Sequence, residues 1–455
     1  MGELPQSWIT SDPSALAVKR AQSRRDPHDA YAYLLCIVLA GYALMGKGFA
    51  HIGYPPLLIG EVTMVLGLVV IYRSRCGFAV LATLPSVLLL ALLSLVIAKV
   101  AMAIGPYGVD AIRDGVVVIY GLYAFAVIAL LLEKPERLEW ILQRYSGFVL
   151  VYGFLGAIVI YVTSLGQGVL PVWPASGVTL IYVRLGEAAV HLAGAAVFVL
   201  LGMRKVPLFW VLVMIVSIAL VSPSRGAMLA CVVPIGIAAV LGGQIKRFVP
   251  VLFVGGMLFV LAYVAGVEIP VPGGRSIGPE QIIRNIESIM GSSETSNLDG
   301  TKEWRLRWWQ AIVDYTVNGP YFWTGKGFGM GLAEADGFVV GLEFGGPVVR
   351  SPHNVHLTML ARTGVPGFTL WLGALLAWFG MLIFNVLNAR MRDETEWAKL
   401  FVWIACYGLS VVIDSSFDVA LEGPMLGIWF WSLFGFGIGA SMIYRYKRVE
   451  TKYTA

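Results

Sequence analysis

The chain has 455 residues, 58% of them hydrophobic and 13% charged, with a mean hydropathy of +0.77. Soluble domains carry about 25% charged residues, so composition excludes a soluble enzyme and indicates a membrane protein. The net charge of +5 is informative only by position.

Residues 1–28 contain Lys19, Arg20, Arg24 and Arg25 with little apolar periodicity. They read as a cytoplasmic tail, since a cleaved leader would show a shorter apolar run and a small-residue cleavage site. A membrane-crossing helix needs about 20 apolar residues. Such stretches lie at roughly 30–46, 55–72, 78–98, 114–132, 146–163, 186–203, 206–222, 225–242, 248–266, 360–387, 397–413 and 423–444. The expected fold is therefore an all-α polytopic membrane protein with about twelve spans, nine of them within 29–266 and three within 353–444.

Basic residues recur on every second connection: Arg73 and Arg75, Lys134 with Arg137 and Arg144, Arg204 and Lys205, Lys246 and Arg247, Arg390 and Arg392, and the 445–455 tail. Inner-side connections are enriched in Lys and Arg, so this alternation predicts an even span count with both termini cytoplasmic. The four cysteines, Cys36, Cys76, Cys231 and Cys406, lie in or beside apolar runs without Cys-x-x-Cys spacing. They read as buried thiols.

One long external connection, residues 267–352, separates the ninth and tenth spans. It far exceeds the usual connection length, which marks a functional loop. It opens on a Pro/Gly turn at Ile269–Gly274, and Pro279–Met290 then places Ile282, Ile283, Ile286 and Ile289 on one helical face. Residues 291–300 form a polar break before a second predicted helix, Thr301–Val317, with Trp304, Trp308 and Ile312 at spacing four. A glycine-rich stretch without regular period runs from Gly325 to Gly346.

Ionisable groups at the mouths of spans are costly and suggest function. Arg225 begins the eighth span from outside, where free helix N–H groups also favour anions. A cation at a positive dipole end is relieved by an anion between them, although snorkelling to phospholipid headgroups is an alternative. Arg305 and Arg307 lie in the loop helix beside Trp308 and Trp309. Their planar forks suit phosphate oxygens; a solvated basic helix is the other reading. Arg184 and Glu187 open the sixth span with His191 a turn further in, a pair of the kind that is more often structural. Arg113 adds positive charge at the fourth span's mouth. Asp414, Asp418 and Glu422 cluster in the last outer connector, where they could bind an acceptor, although a solvated loop is the preferred reading; Glu61 reads as satisfied by a neighbouring helix. His353 ends the long loop at the water–lipid boundary, where an imidazole of ordinary pKa near 6.5 is available as a base. Several arginines without a carboxylate metal box suit a pyrophosphate leaving group, and a nearby base would deprotonate a sugar hydroxyl.

Three segments then resemble a known family. Ser224-Arg225-Gly226 before an apolar span, Arg305 a helical turn before Trp309 and leading to Gly325–Gly329, and His353-Asn354 followed by Leu357, Leu360 and Gly364-Val-Pro-Gly367 resemble, in order, the signatures of the bacterial O-antigen ligase and polymerase superfamily. The resemblance covers roughly 180–390. It implies a helical, lipid-donor glycosyltransferase of the inner membrane, with its site facing the periplasm and no cofactor or metal. It implies that Arg225 and Arg305 bind the pyrophosphate of an undecaprenyl-linked glycan and that His353 activates the acceptor hydroxyl for inverting transfer. Arg184 sits where many members carry a further arginine and is a third candidate for binding the pyrophosphate, although Glu187 and His191 replace the family's Asn-containing motif. Asn354, Trp309, Arg307 and Arg113 are candidate substrate contacts; Arg307 has no counterpart in the signatures. A ligase passes the glycan to lipid A–core, a polymerase to another lipid-linked repeat unit, and both readings stay open. A secondary transporter is the rival class, but the chain lacks an internal repeat and its polar groups gather at the outer face instead of the midplane.

Overall fold

The computed structural model describes residues 26–454 apart from 166–168, 175, 222, 272–274, 291–295 and 340–349, and gives no side-chain environment for 269–277, 288–302 and 449–454. Helix α1 (Pro27–Met45) starts where Asp26 accepts a hydrogen bond from the His28 amide and Pro27 takes the first position, which needs no N–H donor. After α2 (Ile59–Arg73), Thr83 caps α3 (Leu84–Tyr107) through the Ser86 amide. Gly108 reverses the chain into α4 (Val109–Ile119), followed by α5 (Leu122–Glu133), α6 (Arg137–Ser164), α7 (Leu185–Leu200), α8 (Leu208–Val221), α9 (Arg225–Leu241) and α10 (Ile245–Val264). The loop contributes α11 (Pro279–Met290), α12 (Ser296–Thr316) and the short α13 (Leu332–Asp336). The chain returns through α14 (Val355–Arg390), α15 (Thr395–Ser415) and α16 (Pro424–Thr454).

Each of the twelve apolar stretches overlaps a helix. Among the described residues, eight helical segments are long and apolar enough to cross a membrane, with α4 and α5 counting together as one. The apolar helices α7, α8 and α9 have 16, 14 and 17 residues, and α2 has 15. The protein is thus a predominantly helical, multi-pass membrane protein, with strands among the described residues confined to small two-stranded ribbons.

Aromatic side chains and close helix approaches build the core. Gly435 of α16 lies against the Ala124 backbone of α5, where an added Cβ would meet the Ala124 carbonyl at 2.3 Å. Most of the α16 apolar window, 94%, is buried inside the protein, whereas none of the α10 window is. The bundle therefore packs around α16, and α10 faces outward. Glu61 accepts from the Tyr120 hydroxyl at 3.0 Å, as expected of a carboxylate met by a neighbouring helix. His191 meets the Tyr407 hydroxyl at 2.7 Å, while Glu187 accepts from the Arg184 amide; the two do not pair with each other. Arg137 is 3% exposed and binds Asp26, Asp29 and Glu133. It ties α1 to the α5–α6 corner, so it is a buried fastener instead of one more surface cation. Among the described residues all four thiols are free, with Cys231 and Cys406 buried.

In the loop, Ile269–Val271 pairs antiparallel with Arg275–Ile277; the intervening 272–274 lie outside the described residues. Helix α12 begins at Ser296, five residues before the predicted Thr301. Ser, Asn and Asp favour a first helical turn, and a single Gly300 costs only about 1 kcal/mol. Of the predicted polar break, 291–295 lie outside the described residues. Trp308, Ile312, Leu332, Ala333, Leu360 and Ala361 form one buried cluster that docks α12 and α13 onto α14.

The glycine-rich turn has a packing reason. Gly364 breaks α14 with φ 69° and ψ −173°, a region essentially restricted to glycine. The break leaves helix carbonyls to be satisfied by the turn: the Lys326 amide donates to Ala361 at 2.7 Å and the Gly327 amide to Arg362 at 3.1 Å, while Val365 donates to the Phe322 carbonyl at 2.8 Å. A Cβ at Gly364 would lie 2.4 Å from the Phe322 oxygen. Gly364→Ala is expected to destabilise the protein by at least about 1–3 kcal/mol from backbone strain alone, read as a lower thermal-unfolding midpoint in lipid.

Candidate active site

The site is built around the connector between α15 and α16, which the sequence reading took as a solvated loop. It is packed at both ends and only partly solvated between them: Asp414, in the last turn of α15, is 3% exposed and Glu422 accepts from the Thr358 hydroxyl at 3.0 Å, while the Asp418 side chain is 33% exposed. The amides of Phe417 and Asp418 donate to the Asp414 carbonyl, winding the connector onto the end of α15. The Val419 amide then donates to Asp418 Oδ1 at 2.8 Å.

Four expected residues meet this connector from distant parts of the chain. His353 Nδ1 lies 3.3 Å from Asp418 Oδ1, and Arg184 Nη1 lies 3.7 Å from the same oxygen. Arg305 donates through Nη1 to the Phe417 carbonyl at 3.0 Å. Arg225 starts α9 behind the cap formed by Ser224, and a Cβ on the next residue, Gly226, would sit 2.9 Å from Phe417 Cβ. Arg305 feels the charges of both Asp418 and Arg225. A base candidate and three arginines thus share one neighbourhood.

Electrostatics follow from this crowding. Burial presses the Arg305 guanidinium below its ordinary range; Asp418 pulls it back and the like charge of Arg225 adds to the push. Arg305 Nε is buried without a hydrogen-bond partner among the described residues. For Arg184, burial is outweighed by Asp418 and Glu187, which hold it above its ordinary range. Burial raises the Asp418 carboxyl, but the His353 hydrogen bond and the Arg184 charge outweigh it, so it stays below the usual carboxylate range. Its contribution to stability is therefore present above about pH 4 and is lost only as pH falls further. A carboxylate accepts hydrogen bonds and cannot donate. Neutral His353 in this pair carries its proton on Nδ1, which leaves the Nε2 lone pair open.

His353 occupies a left-handed backbone position, φ 52°, uncommon for a residue with a side chain. Its neighbours hold it there. Asn354 caps α14 by accepting from the amides of His356 and Leu357 at 2.9 and 3.2 Å, so its side-chain oxygen is engaged at the helix start. Trp309 donates its indole N–H to the Pro352 carbonyl at 2.9 Å; that N–H too is committed within the protein. Arg307 is exposed and pairs with Glu303 at 3.3 Å. It sits two residues from Arg305, on another face of α12. Arg113 is likewise exposed, 3.3 Å from Asp110. Neither joins the Asp418 cluster.

A second ion cluster escaped the sequence reading. Asp114 of α4 meets Arg362 at 2.9 Å and Arg350 at 3.5 Å, and accepts from the Gly329 amide at 2.9 Å. It locks the glycine-rich turn and α14 to α4. Asp418 was missed for a related reason, since acids in a short connector show their partners only when the chain has folded. The signal available was three acids within nine residues between two apolar spans. Among the described residues no group of three or more His, Cys, Asp or Glu is arranged to hold a metal ion.

Fold and site together define a multi-pass helical membrane protein with a carboxylate-anchored imidazole among arginines on one rim. A family model described as O-antigen ligase matches residues 210–372, which contain Arg225, Arg305, Trp309, His353 and Asn354. Over that stretch the chain is similar to the O-antigen ligase and polymerase superfamily. Arg184 and Asp418 lie outside the matched stretch. A search of curated proteins finds no match.

Proposed function

We propose that this protein transfers a glycan from undecaprenyl pyrophosphate to an acceptor hydroxyl on the periplasmic side of the bacterial inner membrane, with lipid A–core as the acceptor. The observation that carries this reading is the pairing of two mutually repelling arginines, one with an orphaned buried Nε, with an imidazole held on Asp418. Two like charges at one place are stabilised by an anion between them. A pyrophosphate has the charge and oxygen geometry for that role.

His353 Nε2 takes the proton of the acceptor hydroxyl as its oxygen attacks the anomeric carbon. The bond from that carbon to the pyrophosphate oxygen breaks, and the electron pair leaves with undecaprenyl pyrophosphate. Arg225 and Arg305 take up the charge that develops on the leaving group; Arg184 serves chiefly to hold Asp418. A single displacement inverts the anomeric configuration. The arginines do the neutralising, and no metal is required. Asp418 fixes the tautomer of His353 and stabilises the imidazolium.

The decisive experiment supplies purified protein in lipid with a defined undecaprenyl-pyrophosphate oligosaccharide and two acceptors, lipid A–core and a second lipid-linked oligosaccharide, with and without a chelator. Product on lipid A–core supports a ligase, and product on the lipid-linked acceptor makes the protein a polymerase of O-antigen or exopolysaccharide. Absence of transfer to either overturns the proposal. Asp418→Asn is expected to lower kcat at least about 10-fold, because the imidazole loses its charged anchor; an unchanged kcat removes Asp418 from the mechanism.

A further inference from the structure

Arg305 and Trp309 lie four residues apart, on one face of α12. Their polar ends reach the two segments that make the site: Arg305 holds the Phe417 carbonyl, and Trp309 holds the Pro352 carbonyl. The adjacent Trp308 is fully buried and donates to Asp336 at 2.6 Å, which fixes the roll of the helix. Trp309, about 100° further round, is thereby aimed at the loop that ends in His353.

The Pro352 carbonyl and the His353 N–H share one rigid peptide plane. Fixing that oxygen fixes the bond about which φ of His353 turns. That φ is 52°, a position that persists only when its surroundings impose it. Asn354 secures the far side of the residue as the α14 cap, and Asp418 secures the ring. On the near side the Trp309 bond acts on the adjoining peptide itself, while the Arg350 carbonyl further back accepts from the Leu332 amide and its guanidinium meets Asp114.

We infer that Trp309 is a positioning residue whose indole N–H orients His353 toward the acceptor and ties it to the helix that carries Arg305. This rests on His353 being the base, and the test separates the two claims. Trp309→Phe keeps most of the ring bulk and removes the N–H. The full-length variant in nanodiscs would be treated with diethyl pyrocarbonate, and the labelling rate of each histidine followed by peptide mass spectrometry, with His51 as internal reference. Expected is labelling of His353 at least about threefold faster with His51 unchanged, and kcat lowered about 10- to 100-fold with donor KM within about twofold. Unchanged labelling of His353 overturns the inference whatever happens to kcat. Faster labelling with unchanged kcat upholds the positioning, and it is the role of His353 as base that falls. Trp309→His, which retains a ring N–H, is expected to keep His353 labelling within about twofold of wild type. Labelling faster than that in this variant also overturns the inference, should the phenylalanine protein fail to accumulate.

Discussion

His353→Asn is expected to abolish glycan transfer, lowering kcat about 10²- to 10⁴-fold, the range for loss of a general base, while the protein inserts and folds as before. Asparagine is the informative replacement. It tolerates the left-handed backbone that His353 adopts, so the α14 cap at Asn354 is preserved. Alanine at φ 52° would add strain and confuse loss of the base with a shifted loop. The measurement is single-turnover transfer at saturating donor, with donor binding recorded separately. Binding is expected to stay near wild type because the arginines are intact. A variant that transfers at more than about one tenth of the normal rate would remove His353 from the chemistry.

Arg305→Ala is expected to lower kcat/KM for the donor about 10²- to 10³-fold, comparable to removing one preorganised donor to a developing negative charge. Part of the loss falls on KM, since the pyrophosphate is charged before the bond breaks as well as after. Two consequences follow from the position of Arg305. Its Nη1 already serves the Phe417 carbonyl, so the alanine variant also loosens the connector that carries Asp418. Lysine restores the charge but offers a compact ammonium where a fork spans two acceptors. Arg305→Lys should therefore recover binding more than rate. The check is a side-by-side donor titration of both variants; full activity in the lysine variant would show that charge alone suffices.

Most of the fold was legible because apolar runs of spanning length are an unambiguous signal in one dimension. The residues that the structure gathers at the α15–α16 connector were legible where they sit in short local patterns, as at Arg225, Arg305 and His353. Residues whose role depends on a distant partner were not. Asp418 reads as one acid in a hydrophilic connector until His353 and Arg184 arrive from 65 and 234 positions away along the chain. Asn354 shows what one dimension leaves undivided: an asparagine before an apolar helix is a cap signal, and its side-chain oxygen does cap α14. Arg305 and Arg307 look equivalent in sequence, but two residues on a helix point to different faces, and only one reaches the site. Helix α12 started early for a local reason, since one glycine is a weak breaker.

The outward-facing helix α10 gives the surrounding lipid a structural part. Its 20 residues rise about 30 Å, the thickness of the hydrocarbon layer, and its sides are left for acyl chains to cover. Bilayer thickness thus fixes the level at which α10 ends, and with it the starting height of the arm that leads to α11.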